Sequence, residues 1–262
     1  MTVHPDQNPQ LLRHPDGVLP PDEVHIWHTE LTVPENGIDS LLELLEPEER
    51  DRALRFKVSH AYHQFVISRA FVRKILALYL RSGPREVRFR TTAHGKPELA
   101  GARDLRFNLS HTAGAAVMAI VRGRQVGVDV ERVREDVNTI ELADRFFSAP
   151  EAEWVRSQTA SDRSSSFFAC WTAKEAYVKA HGEGLSMPLS AFSVIPRRSA
   201  PGTHWGGTHW ERLQLEVFGN AEESRRWSIW QLDLASDLRA ALAVEGQNCE
   251  VRLGHWPSVG GG

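Results

Sequence analysis

The feature that most restricts the fold is that the chain resembles itself. Phe65, Ala70, Phe71, Val72 and Arg73 lie 106 positions before Trp171, Ala176, Tyr177, Val178 and Lys179, and each set belongs to a run with helical spacing of apolar side chains. The first run extends from about His60 to Arg81, where Gly83-Pro84 stops it, and the second from Ser164 to His181, ending at Gly182. Short segments rich in β-formers accompany each helix: residues 24–31, 87–90, 105–109 and 115–121 with the first, and 125–131, 192–195, 213–218, 227–232 and 240–244 with the second. Shorter helices are expected to open at Glu46-Pro47-Glu48-Glu49 and at Ala149-Pro150-Glu151, where proline and acids suit a first turn. Internal duplication is the economical reading. It predicts an α+β fold: a pseudo-dimer of two similar halves, each a long helix packed on a small, mostly antiparallel sheet, with a ligand cleft where they meet. The boundaries that follow are a proline-bearing tail at 1–22, a first half at 23–122, a second half at 123–255 and a C-terminal tail at 256–262. The Gly/His/Trp stretch at 203–210 reads as a surface insertion between strands.

Bulk properties exclude several classes. The 31 basic and 34 acidic side chains nearly cancel, so there is no electrostatic case for binding nucleic acid. Two cysteines, Cys170 and Cys249, without metal-type spacing point to a reducing compartment and no disulfide framework. The longest apolar run, 113–121, is far shorter than the roughly 20 residues of a membrane-spanning helix, and the polar start MTVHPDQNPQ lacks a signal core. The expectation is a cytoplasmic protein with no nucleic-acid or membrane partner.

Two motifs carry chemistry. In Gly127-Val128-Asp129-Val130-Glu131, the acids at i and i+2 of a strand project from one face about 6.6 Å apart, while Val128 and Val130 point into the core. In Trp171-Thr172-Ala173-Lys174-Glu175-Ala176-Tyr177-Val178-Lys179, Glu175 and Lys179 share one helix face with Trp171. Taken singly, the first also suits the wet face of an edge strand, and the second a solvated ion pair. Taken together they fit a hard-cation site. Two carboxylates about 4 Å apart repel by about 4 kcal/mol at an effective dielectric of about 20, so a cluster of three calls for a counter-cation. Oxygen-only ligands point to Mg²⁺.

These residues closely resemble the signature of the Sfp-type 4′-phosphopantetheinyl transferases: Gly-x-Asp-x-Glu, then Trp-x-x-Lys-Glu-Ala-x-x-Lys, then Gly182-Glu183-Gly184-Leu185. Supporting matches are Gly95-Lys96-Pro97, Phe107-Asn108-Leu109-Ser110-His111-Thr112, and Arg145-Phe146-Phe147-Ser148 with Glu151. Thr112 stands where the family often has serine, and keeps the hydroxyl. The resemblance implies that Asp129, Glu131 and Glu175 in the second half hold Mg²⁺, with Mn²⁺ as an alternative, against the pyrophosphate of coenzyme A. Glu175, or a metal-bound water, would take the proton of an incoming serine, and Lys179 would neutralise the departing phosphate. Lys96, Ser110 and His111 would contact coenzyme A, with His111 beside its 3′-phosphate. Arg52, Arg55 and Lys57 would serve the same nucleotide, and Glu151 would lie near the metal or pantetheine. The protein partner implied is an apo acyl or peptidyl carrier domain, docking around Phe146, Phe147 and Trp154, and the duplication predicts a monomer.

Other readings of the same residues stand beside these. Lys96 suits a turn, Ser110-His111 the end of a strand, and Arg50, Arg52, Arg55 and Lys57 a solvated helix face. The rival functions are a metal-dependent phosphohydrolase of coenzyme A-like nucleotides and a catalytically silent carrier-binding homologue.

Overall fold

The computed structural model describes residues 18–32, 37–92, 95–102, 104–182, 187–196 and 211–257. Two long helices, α3 (Ser59–Leu80) and α6 (Ala160–His181), flank two sheets. The first sheet has the order β11-β1-β5-β4, from Glu250–His255, Glu23–Glu30, Ala115–Arg122 and Leu105–Thr112. The second has the order β6-β10-β9-β8-β7, from Val126–Arg132, Leu238–Glu245, Trp227–Leu232, Glu211–Val217 and Phe192–Pro196. A small hairpin pairs β2 (Phe89–Thr91) with β3 (Pro97–Leu99). Short helices α1 (Ile38–Leu42), α2 (Pro47–Ala53), α4 (Thr139–Phe146), α5 (Ala149–Ser157) and α7 (Ala221–Arg226) fill the connections.

Alternation along the strands creates the layers. On β5, Ala116, Met118 and Ile120 meet α3 through Val66, Phe71 and Ile75, while Val117, Ala119 and Val121 meet Val128, Val130 and Leu242 of the other sheet. Both faces of β5 are therefore dry, which explains why its sequence is a continuous apolar run. The order of layers is α3, first sheet, second sheet, α6, with one core between the sheets and one under each helix. This is the α+β arrangement of two helix-plus-sheet halves that the duplication implied.

Three segments depart from the sequence-based division. Strand β11 crosses back to pair in parallel with β1 in the first sheet, so the last strand of the chain serves the first half. Trp256, assigned to a tail, is 7% exposed and stacks on Phe71 with centroids 5.6 Å apart. Leu19, also assigned to a tail, is 2% exposed in the core beneath α3. At Trp256 and Leu19 the burial of a large apolar side chain outweighs the cost of ordering the segment that carries it. Residues 1–17, 183–186, 203–210 and 258–262 lie outside the described residues.

Candidate active site

Strand β6 is the edge of the second sheet and runs beside β4, the edge of the first. Three side chains of β4 on one face bond across the seam. Asn108 Oδ1 accepts from Val128 N at 2.8 Å, Ser110 Oγ donates to Asp129 Oδ1 at 2.8 Å, and Thr112 Oγ1 donates to Glu131 Oε2 at 3.2 Å. The two acids of Gly-x-Asp-x-Glu are thus each held by a hydroxyl from the other half.

Helix α6 covers the same face of β6 at very short range. A methyl group on Gly127 would lie 2.1 Å from Ala176 O and 2.3 Å from Ala180 N, so only glycine permits this crossing. Ala173, Ala176 and Ala180 on the helix oppose Ala241 and Ala243 of β10, and this small-residue face lets helix and sheet approach closely. The crossing puts Glu175 and Lys179 over Asp129. Lys179 Nζ donates to Asp129 Oδ1 at 2.6 Å and to Ser110 Oγ at 3.0 Å.

The electrostatics show the three carboxylates acting on one another. The Glu175 pKa is raised, first by burial and then by the charge of Asp129, with Lys179 opposing and Glu131 adding. Glu131 is raised by burial and then by Asp129. Asp129 is 4% exposed, and its second oxygen, Oδ2, is buried with no hydrogen-bond partner among the described residues. A buried carboxylate oxygen left unbonded is costly and marks a place where a cation or donor belongs. Among the described residues no three such side chains already enclose a metal position. The acids are grouped but not closed, and Lys179 supplies the positive charge at Asp129. An all-carboxylate donor set with an orphaned oxygen fits a hard divalent ion such as Mg²⁺, which keeps much of its shell as water and substrate oxygens.

The remaining candidates fall into three groups. Lys96, on the β2–β3 hairpin, reaches the site from the first half, and its Nζ donates to Val126 O at 3.1 Å and Lys179 O at 2.8 Å. Burial lowers its pKa to about 8. His111 is exposed on the opposite face of β4 from Ser110, and Arg52, Arg55 and Lys57 are exposed at the end of α2, the Arg52 guanidinium lying 5.3 Å from the Phe65 ring centroid. Among the described residues no hydrogen bond or ion pair ties these four to the carboxylate group. Glu151 requires a correction. It is fully buried, accepts from Lys174 Nζ at 2.7 and 2.5 Å, from Val194 N at 2.7 Å, and from Ser148 N and Oγ at 3.0 and 2.7 Å. Both its oxygens are consumed internally, so it is a strut joining α5, α6 and β7 and has no oxygen to offer a cofactor.

Around Trp171, Phe147 is 5% exposed and stacks on Phe167, whereas Phe146 and Trp154 are only partly buried on the same cluster. Phe147 is core, and Phe146 and Trp154 remain at the surface.

Thr112 as a partner of Glu131, Lys96 as a bridge between elements and Gly127 as a contact point are roles that sequence reasoning missed. Only Gly127 had a signal: a glycine in phase with Asp129 and Glu131, on the face the helix must cover.

Comparisons with known proteins bear on this geometry. A family model described as the 4′-phosphopantetheinyl transferase superfamily matches residues 125–243, and one described as 4′-phosphopantetheinyl transferase, N-terminal, matches residues 33–122. The chain is 34% identical over 253 residues to the 4′-phosphopantetheinyl transferase HetI of Nostoc sp., covering 95% of this chain and 99% of that protein. It is 29% identical over 156 residues to the 4′-phosphopantetheinyl transferase Sfp of Bacillus subtilis, covering 60% of this chain and 68% of that protein.

Proposed function

The chain belongs to the 4′-phosphopantetheinyl transferase superfamily, enzymes that act on carrier proteins with coenzyme A, and we propose that it moves the 4′-phosphopantetheine arm to a carrier serine with Mg²⁺. The serine Oγ forms a bond to the β-phosphorus of coenzyme A, the bond from that phosphorus to the bridging oxygen breaks, and 3′,5′-ADP leaves. The observation that carries this reading is the grouping of Asp129, Glu131, Glu175 and Lys179 at the β6–α6 crossing, in a chain of this family.

Each residue has a part in that reaction. Asp129, Glu131 and Glu175 would hold the divalent ion, which supplies charge to the pyrophosphate oxygens. Glu175, which sits on the helix that faces Asp129 beside Lys179, is placed to accept the serine proton, either itself or through a metal-bound water. Lys179 offers its ammonium to the leaving phosphate, and Ser110 and Thr112 hold the two strand acids in place. His111, Arg52, Arg55 and Lys57 are exposed on the first half and offer hydrogen-bond donors suited to the nucleotide phosphates. Phe146 and Trp154 with Arg145, whose guanidinium lies over Phe146 at 5.0 Å, offer an apolar surface with a basic fringe for a carrier helix. Both walls of the site come from one chain, which supports a monomer.

Incubation of the protein with coenzyme A, Mg²⁺ and a panel of apo carriers, read by intact mass, tests the proposal. Addition of a phosphopantetheine to a carrier serine is expected, and it is abolished by chelation and by Asp129→Ala. Release of phosphopantetheine without any carrier would replace transfer with hydrolysis, and carrier binding without a mass change would reduce the chain to a binding module.

A further inference from the structure

We infer that Lys96 is a positioning residue for the transfer reaction: its ammonium pins the last turn of α6 to the start of β6 and so sets Glu175 and Lys179 against Asp129 and Glu131. The inference rests on the functional reading above and concerns a residue of the other half of the molecule.

The two acceptors are main-chain carbonyls on the two elements that carry the site, Val126 O at 3.1 Å and Lys179 O at 2.8 Å. Val126 adjoins Gly127 and Lys179 adjoins Ala180, so the bridge sits beside the closest point of the helix–strand crossing. Packing at that crossing sets the helix–strand distance, and the Glu151–Lys174 strut anchors α6 about one and a half turns nearer its N-terminus. A cation bonded to both partners adds a direct tie at the C-terminal end, where Lys179 projects. Lys179 O lies in the last turn of α6, where helix carbonyls run out of intrahelical donors, and Val178 O is bonded by Gly182 N. An ammonium there bonds a helix-end carbonyl and meets the negative end of the helix dipole.

The hairpin holds Lys96 rigidly for this task. Thr92 N donates to Lys96 O at 2.9 Å, Lys96 N donates to Thr92 Oγ1 at 3.1 Å, and Gly95 N donates to Thr92 O at 3.0 Å with Gly95 at φ +82°. Burying an ammonium is unfavourable unless it is bonded, and the depressed pKa shows that Lys96 bears that cost. A lysine serving only a solvent-borne phosphate has no need of two internal carbonyls.

The test uses the full chain as wild type and as Lys96→Met, which keeps the stem and removes the donors. Mn²⁺ alone, without coenzyme A, is titrated and followed by electron paramagnetic resonance. Lys96→Met is expected to weaken Mn²⁺ binding about tenfold, the scale seen when support behind a metal ligand is lost. Transfer kinetics should show kcat lowered while KM for coenzyme A stays within about twofold, and amide exchange over residues 178–182 should quicken. Unchanged Mn²⁺ affinity with the loss confined to KM for coenzyme A overturns the inference and makes Lys96 a substrate ligand. If Lys96→Met does not fold, Lys96→Gln, whose amide can still donate to one carbonyl, is read by the same assays. A wild-type protein that neither binds Mn²⁺ nor modifies a carrier overturns the functional reading itself; one that does both, with Lys96→Met indistinguishable from it, overturns only the role of Lys96.

Discussion

Replacing Gly127 with alanine adds one methyl group at the point where α6 rests on β6. That carbon would stand 2.1 Å from Ala176 O, 2.3 Å from Ala180 N and 2.9 Å from Ala180 Cα, and all three are backbone atoms that no rotamer change can move. Ordinary contact begins at 3.4 Å, so helix and strand must part by about 1.3 Å. Overpacking of this kind costs about 1–3 kcal/mol or more. The functional loss should be larger than the loss of stability suggests, because displacement of catalytic groups by about 1 Å costs about a hundredfold in rate. Urea denaturation and carrier modification at saturating coenzyme A measure the two effects. Gly83→Ala is the control: its methyl would meet nothing closer than 3.5 Å, its φ of −73° suits alanine, and a gain of about 0.4–1 kcal/mol is expected there. A Gly127→Ala protein as stable and active as wild type would refute the claim that this contact sets the site.

Three further outcomes follow from the same geometry. Lys174→Met leaves Glu151 charged, fully buried and without its cation, and should cost about 3–5 kcal/mol in urea denaturation, whereas Lys174→Met with Glu151→Leu should recover much of that loss. In the metal-free protein the Glu175 carboxyl is raised by burial and by Asp129, so its titration followed by carbon NMR should lie above that of an exposed glutamate and fall when Asp129→Asn removes the neighbouring charge; no change in that variant would contradict the crowding of these acids. His28, on β1, is lowered to about 4 by burial and by the neighbouring His255. The unfolded chain then holds a proton that the native state lacks, so stability falls as pH drops from about 6.5 to about 4. His28→Gln should flatten that slope in urea midpoints measured across the window.

The duplication and the binary pattern made the two long helices and most strands legible, because helical and strand periodicities are local properties of the chain. Missed elements lack such a pattern. Strand β11 is short and mixed in character, and its place beside β1 depends on a chain reversal that no window of sequence encodes. Helix α4 is amphipathic, with Leu142, Ala143 and Phe146 on one packed cluster, but it spans only eight residues, too short a window for the helical period to stand out. At the site, the motifs named the acids and Lys179, and the geometry brings Lys179 to Asp129. Glu151 shows the limit of transferring a role along a motif. A capping-box glutamate three residues after Ser148 looks the same in sequence whether its carboxylate faces a cleft or a buried lysine, and only the packing of α6 decides between them.

The two halves repeat one structural device and diverge in its surroundings. In the first half, Glu49 closes the capping box of α2 and is gripped by Arg69 and Arg73 of α3; in the second, Glu151 closes the capping box of α5 and is gripped by Lys174 of α6. The 106-residue offset places Arg69 opposite Glu175 and Arg73 opposite Lys179. The first helix therefore presents two cations, already bonded to Glu46 and Glu49, where the second presents the acid–base pair of the site. Cations at these positions would repel a divalent ion, so the metal site proposed above draws its carboxylates from the second half. The first half instead supplies β4 and the β2–β3 hairpin, whose Ser110, Thr112 and Lys96 each bond to a residue or backbone segment of the second. The two long helices thus differ at two matching positions, and under the proposed reaction the second half carries the reacting groups while the first supports them.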